Sequence, residues 1–310
     1  MENNKIGSAI QYFRESYHIS QSALGRGICS AATLSRIEAG ERDVDSLLLE
    51  TLLERLGKSP NQFELILTDI DYMLYQYRER IKKSISEKNY DEANSVLETY
   101  EKITESKCSV HIQFVVSCKA YLNELKNGSI ERTIELLLEA ISYTIPDFET
   151  SSIINYYLSN SELNIIIDIA ERMLTAGMLQ KAEDIIKQVI EYLDSYKSMD
   201  LSRQLYPRVA VIASKLYMLN DNWEKTLIIC NKGLEKSKGS RSMNFIAEIY
   251  ELKAKAMERL LERQMIKCDY SEIIKIYLQA YYVYEICDKS NEANMIRKHL
   301  QEVYQWEGID

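Results

Sequence analysis

The chain has 310 residues, 46% of them hydrophobic, with only 3 prolines and 10 glycines. That length suits two domains, and so few helix breakers predict an almost wholly helical protein. The net charge is −9, and neither part is basic: residues 1–66 carry 7 Lys+Arg against 9 Asp+Glu, and the remainder carries 31 against 38. A diffuse basic surface for nucleic acid is therefore excluded. DNA binding would have to rest on locally placed arginines (Arg14, Arg26, Arg36, Arg42) and on backbone N–H groups at helix starts, with strong salt dependence.

The N-terminus Met1-Glu2-Asn3-Asn4-Lys5 has no cationic segment followed by an apolar stretch, so no signal peptide is expected. No apolar run reaches the ~20 residues of a membrane span. The six cysteines form no C-x-x-C pair, which predicts a cytoplasmic chain with reduced, mostly buried thiols. The histidines (His18, His111, His299) are too scattered in sequence to suggest a metal site, and no cofactor is expected. The 22 tyrosines against 5 phenylalanines suit half-buried positions between helices, with the ring inside and the hydroxyl wet.

Residues 1–66 read as five short helices. Ile6, Ile10 and Phe13 set a first helix over about Lys5 to Tyr17. Ser20 caps a second that opens at Gln21 and ends near Gly27. Ile28 and Cys29 turn the chain, Ser30 is the next cap, and a third helix runs from Ala31 to about Ala39, stopped by Gly40. Leu34 and Ile37 face its core, leaving Ala31, Ala32, Thr33, Ser35 and Arg36 outward. Leu47, Leu48, Leu52, Leu53 and Leu56 make a fourth helix that stops at Gly57. Ser59-Pro60 start a fifth, with Phe63 and Ile66 inside. The second and third form the helix-turn-helix that lays one helix in the DNA major groove. Ala31, Ala32 and Thr33 are placed for base edges or thymine methyls, and Arg36 for a guanine or a phosphate. Ser30, Ser35 and Arg42 complete the candidate surface. Gln21, at a helix start, is a natural phosphate contact. Glu38 is expected to pair with a nearby arginine inside the domain.

Residues 67–88 form a linker. Asp69 to Ser86 hold neither Gly nor Pro and read as one stiff helix merging into the first repeat. Residues 89–310 then carry five segments, beginning at Asn89, Ser129, Met178, Asn222 and Asp269, that align as the second helices of tetratricopeptide-type hairpins. Each places a crossing residue (Ala93, Thr133, Ala182, Thr226, Ile273), then a core residue four further on (Leu97, Leu137, Ile186, Cys230, Tyr277), then a packing residue (Tyr100, Ala140, Val189, Gly233, Ala280). The crossing residues recur at 40, 49, 44 and 47, longer than the ~34 of a strict array. Asn291 to Trp306 read as a capping helix.

The five-helix pattern, with Gln21 opening the second helix and S-R-I-E-A-G-E-R from Ser35 ending the third, resembles the lambda-repressor and Cro superfamily. The short turn Gly27-Ile28-Cys29-Ser30 ahead of L-S-R-I-E, with degenerate repeats behind, resembles the PlcR and Rgg branch of peptide-responsive regulators, within the wider group that also holds Rap, NprR and PrgX. The resemblance implies an all-α chain: a Cro-like domain on a right-handed α-solenoid of about five degenerate repeats. It also implies a homodimer that binds a palindromic double-stranded DNA site and is switched by a short signalling peptide in the solenoid groove, as in quorum sensing. Family members grip the peptide backbone with inward asparagines, which can donate and accept at once. Here the first helices around Ile165–Thr175 and Val209–Met218 hold none. The candidate peptide contacts are Asn155, Asn164, Asp168, Glu171, Arg172, Arg208, Lys215 and Asn244. Two other readings stand beside this one. The solenoid only dimerises or binds another protein; or the chain is a Rap-like phosphatase or other enzyme. No nucleotide-binding, zinc-hydrolase or serine-hydrolase motif supports the last, and the chain is read as a non-enzyme.

Overall fold

The computed structural model describes residues 5–42, 44–60, 68–104, 108–148, 152–195, 199–238, 242–306 and 308. Among these are fifteen α-helices and no strand: α1 Lys5–Ser16, α2 Gln21–Gly25, α3 Ala31–Ala39, α4 Ser46–Arg55, α5 Asp69–Ser86, α6 Tyr90–Thr104, α7 Ser109–Leu125, α8 Ile130–Ser142, α9 Asn160–Thr175, α10 Leu179–Ser195, α11 Met199–Leu219, α12 Trp223–Ser237, α13 Ile246–Glu262, α14 Tyr270–Ile286 and α15 Ser290–Tyr304. A 3₁₀ turn, Ile153–Asn155, precedes α9. The helix expected after Ser59-Pro60, with Phe63 and Ile66, lies outside the described residues. No helix among the described residues is long and apolar enough to cross a membrane.

Packing divides the chain into two compact units, Met1–Lys181 and Ala182–Asp310. In the first, caps set the short helices. The side chains of Ser20 and Ser30 accept from Ala23 N and Thr33 N, and Gly40 closes α3 with left-handed backbone. Each cap satisfies groups that a helix end would leave orphaned. Asp45 caps α4 by accepting from Leu47 and Leu48. Thr68 and Asp71 form a reciprocal capping box at α5, so the linker helix is firmly started. Ile10, Leu24, Leu34, Ile37, Leu52 and Leu53 fill the helix-turn-helix core, and Val110 of α7 belongs to the same cluster. Beyond α4, α5 packs on α6, α7 on α8 and α8 on α9.

The helix-turn-helix elements are therefore part of the same body as α5–α9, and specific contacts join them. Arg55, at the end of α4, is 1% exposed and meets Glu162 of α9, 0% exposed, at 2.5 and 3.1 Å. Ser109 Oγ donates to Gly27 O at 2.9 Å, and Glu54 accepts from Asn160 N at 3.0 Å. Gly27 has φ +76°, and a Cβ there would strike the Thr144 carbonyl. Gly27→Ala is expected to cost about 1–2 kcal/mol from the left-handed backbone alone, and further stability from displacing Thr144. Hydrogen exchange across α2–α4 should rise; exchange rates matching wild type would show that this contact does not hold the domain.

The second unit is built from α10–α15. α11 packs on α12, α12 on α13, α13 on α14 and α14 on α15. The repeat reading is met residue by residue in both units: Ala93, Thr133, Ala182, Thr226 and Ile273 are all fully buried. So are the core positions Leu97, Leu137, Ile186, Cys230 and Tyr277. α15 is the expected capping helix, with Ala293, Ile296 and Leu300 inside.

Two expectations are corrected. Only Cys118 and Cys230 are buried; Cys29, Cys108 and Cys268 are half-buried and Cys287 is exposed. Cys29 stands in the turn before α3, where its burial pushes the thiol up to about 11. The tyrosine hydroxyls are not simply wet. Tyr277 and Tyr304 donate to Glu258, Tyr284 to Glu251 and Tyr121 to Asp168. Burial and these carboxylates raise all four above the ordinary phenol range, which keeps the phenols as donors.

Candidate nucleic-acid interface and solenoid face

α3 is amphipathic because Leu34 and Ile37 are pulled inward, and the rotation of 3.6 residues per turn leaves a separate outer face. Ser30, Ala31, Ala32, Ser35 and Arg36 are exposed there, and Thr33 is half-buried, 2.9 Å from Ser30 Oγ. Arg42 is exposed beyond the helix. The Arg36 guanidinium has no hydrogen-bond partner among the described residues. The two methyl side chains at positions 31 and 32 allow close approach of a surface to the backbone.

Behind this face lies a polar brace. Arg14 of α1 donates from Nε to Glu38 Oε1 at 2.6 Å and from Nη2 to Oε2 at 2.9 Å, and from Nη1 to Ile19 O at 3.0 Å. Glu38 thus has the arginine partner the sequence led us to expect. Arg14 itself, counted in the sequence among surface cations for DNA, is 9% exposed and committed inward. Arg26 is exposed but pairs with Asp147 at 2.9 Å and lies 4.3 Å from the Tyr156 ring centre. Of the four arginines, Arg36 and Arg42 remain outward on this face. Gln21 is half-buried, and its Nε2 donates to Glu38 Oε2 at 2.7 Å, so its side chain aligns α2 with α3.

On the repeats, three of the candidate peptide contacts come together. Asp168 of α9 accepts from Tyr121 of α7 at 2.5 Å and from Arg172 at 2.8 Å. Arg172 reaches back with two bonds to Glu124 of α7, at 2.8 and 3.0 Å, and lies 3.3 Å from Glu171. Burial disfavours the Arg172 cation, but Glu124, Asp168 and Glu171 outweigh this and hold it above its ordinary range. One guanidinium among three carboxylates leaves the patch acidic. Asn164 bonds within its own helix, to Asn160 O at 2.9 Å. Asn155 is exposed on the 3₁₀ turn.

In the second unit, Lys215 pairs with Glu248 at 2.7 Å, Arg208 is half-buried on α11, and Asn244 is exposed in the turn before α13. None of the three lines the cavity of about 720 Å³ in this unit, which is walled by Trp223, Lys255, Arg259, Tyr270, His299 and Tyr304 among others. Trp223 opens α12 and Tyr270 opens α14, each the second helix of its repeat. No local pattern in the sequence marks the cavity they wall, because its lining comes from α11 to α15.

Residues 10–63 match the helix-turn-helix family model HTH_3. No curated protein sequence matches the chain. The structure is similar to that of Bacillus thuringiensis PlcR in complex with the peptide PapR7 and DNA, with 21% identity, a TM-score of 0.57 and coverage of 94% of this chain and 99% of that one. It is also similar to PlcR in its apo form, with 19% identity, a TM-score of 0.58 and coverage of 95% and 98%. The fold is that of PlcR. The likeness spans both units, so the PlcR fold accounts for the repeats as well as for the helix-turn-helix.

Proposed function

We propose that this chain is a DNA-binding transcription regulator without catalytic activity. It acts as a homodimer on a palindromic site, and its repeats bind a short signalling peptide that changes how the paired DNA-binding domains are held. The observation that carries this reading is the exposed α3 face, with an unpartnered Arg36, in a chain whose fold is that of a protein solved with both a peptide and DNA. The candidate DNA contacts are Ser30, Ala31, Ala32, Thr33, Ser35, Arg36 and Arg42, with Gln21 positioning the pair of helices.

α9 is the element suited to transmit the signal. Glu162, at its first turn, holds Arg55 of α4, and Asp168, Glu171 and Arg172 follow on the same helix. Six residues of helix separate Glu162 from Asp168, about 9 Å at 1.5 Å per residue. A ligand cation that displaces Arg172 from Glu124 and Asp168 shifts α9, and with it the seat of the DNA-binding helices. The acidic patch favours a peptide bearing a free amino terminus or a lysine.

A second reading keeps DNA binding but gives the repeats only dimerisation or protein binding. It is favoured by the mutual engagement of the candidate contacts: Arg172, Asp168 and Lys215 already have charged or hydrogen-bonded partners. Fluorescence anisotropy on promoter DNA from the chain's own locus, with and without short peptides encoded beside the gene, separates the two. Salt-sensitive binding that one peptide shifts is the expected result. Binding indifferent to every peptide selects the second reading, and no binding at any salt concentration rejects both.

A further inference from the structure

Asp45, Cys108 and His111 converge where α4 meets α7. Their ligand-capable atoms all lie within 4.8 Å of one another. Asp45 is the cap residue of α4, and Cys108 occupies the cap position of α7 without making a side-chain cap bond. His111, three residues on and 0% exposed, places Nε2 2.8 Å from Asp45 Oδ1 and Nδ1 2.6 Å from the Tyr100 hydroxyl. We propose that these three side chains form a transition-metal site, taking Zn²⁺ or a divalent ion of similar chemistry, that staples the helix-turn-helix to the repeats.

The donor set is one imidazole nitrogen, one thiolate and one carboxylate, each a ligand type that zinc accepts. Zinc bonds of about 2.0–2.3 Å in a tetrahedron put donors roughly 3.3–3.7 Å apart. The His111–Asp45 pair, at 2.8 Å, must open to admit the ion, and the Cys108 sulfur already lies within 4.8 Å of both partners. Tyr100 is fully buried and fixes the imidazole through Nδ1, the outer-shell arrangement that orients metal-bound histidines. Asp45 and Cys108 are half-buried, so the cluster is not sealed from solvent. On binding, a neutral His111 ring carries its one proton on Nδ1, donated to Tyr100 Oη, and the Cys108 thiol proton is released to solvent. The sequence hid this site because Asp45 lies 66 residues from His111.

The test uses the full-length, tag-free, reduced protein titrated with Co²⁺ and followed by absorption. The expected result is one equivalent bound, with tetrahedral d–d bands and a thiolate-to-cobalt charge-transfer band, all displaced by Zn²⁺. Cys108→Ser should remove the charge-transfer band. Cys287→Ser, at the exposed cysteine beyond α14, should leave it unchanged. Tyr100→Phe should weaken affinity about 10–100-fold while keeping the band at saturation. Zn²⁺ should raise the melting temperature of wild type and not of Cys108→Ser. A wild-type spectrum without a thiolate band overturns the proposal and leaves a hydrogen-bonded Tyr100–His111–Asp45 triad. A band that survives Cys108→Ser overturns it equally, since the ion then sits elsewhere.

Discussion

Glu162→Gln is expected to destabilise the unit formed by α1–α9 by about 3–5 kcal/mol, the cost of leaving a buried charge without its partner. Arg55 uses every donor it has. Nε and Nη2 reach Glu162, Nη2 also reaches Thr144 O, and Nη1 reaches Leu24 O and Arg26 O at 2.9 and 2.8 Å. Glu162 also completes the capping box of α9, accepting from Ser159 N at 2.7 Å. One carboxylate therefore closes a helix start and neutralises a guanidinium at the seam between the DNA-binding helices and the repeats. The double change Arg55→Met with Glu162→Leu should lose less than Glu162→Gln alone, because no charge is then stranded. Urea unfolding, with hydrogen exchange of α3, α4 and α9, measures both; additive losses would mean that the two side chains are not coupled.

The same seam gives a pH dependence of two opposite signs. Burial alone would raise Glu162, but Arg55 and the hydrogen bonds outweigh it and hold the carboxyl below its ordinary value. Its contribution is complete above the ordinary carboxylate value of about 4.3 and is lost as pH falls through the lowered folded value. Glu54 is pushed up to about 7, chiefly by burial, against the N–H groups of Ser161 and Asn160. The folded chain then binds more protons than the unfolded chain between about pH 4.5 and 7, so stability declines as pH rises through that window. Glu54→Gln should flatten this decline and gain roughly 3 kcal/mol above pH 7. A wild-type profile already flat from pH 5 to 7 would show that Glu54 titrates normally.

The parts of the fold that were legible in the sequence are those set by local pattern. A small residue at Ala93, Thr133, Ala182 and Thr226, with large apolar residues at fixed offsets, places four hairpins, and the same offsets around Ile273 place the fifth. Leu34 and Ile37 likewise fix which side of α3 faces out. What stayed hidden depends on partners distant in the chain. Arg55 and Glu162 are 107 residues apart, and neither helix pattern signals a buried charge. Asp168 and Arg172 looked like open groove residues until Tyr121 and Glu124 arrived from α7. Arg14 looked like a surface cation because its inward direction is set by Glu38, 24 residues later.

Arg36→Ala is expected to reduce specific DNA binding by about 10- to 100-fold, the ~1–3 kcal/mol of one bidentate base contact, with helical circular dichroism unchanged. The side chain is exposed and unpartnered, so its removal strands nothing and opens no cavity. Its effect on binding is large because the chain as a whole carries −9 and repels phosphate, which concentrates attraction on the few cations of this face. Arg36→Lys separates the two roles the sequence allowed. A phosphate contact tolerates the lysine point charge, whereas a guanine contact needs the planar fork and loses nearly as much as with alanine. Arg42→Ala supplies the comparison: as a backbone contact it should weaken all sequences alike and lower the salt slope by about one. Loss of the circular dichroism signal in Arg36→Ala would make the residue structural. Unchanged anisotropy in a well-folded variant would remove α3 as the reading helix, and with it the assignment of this face to DNA.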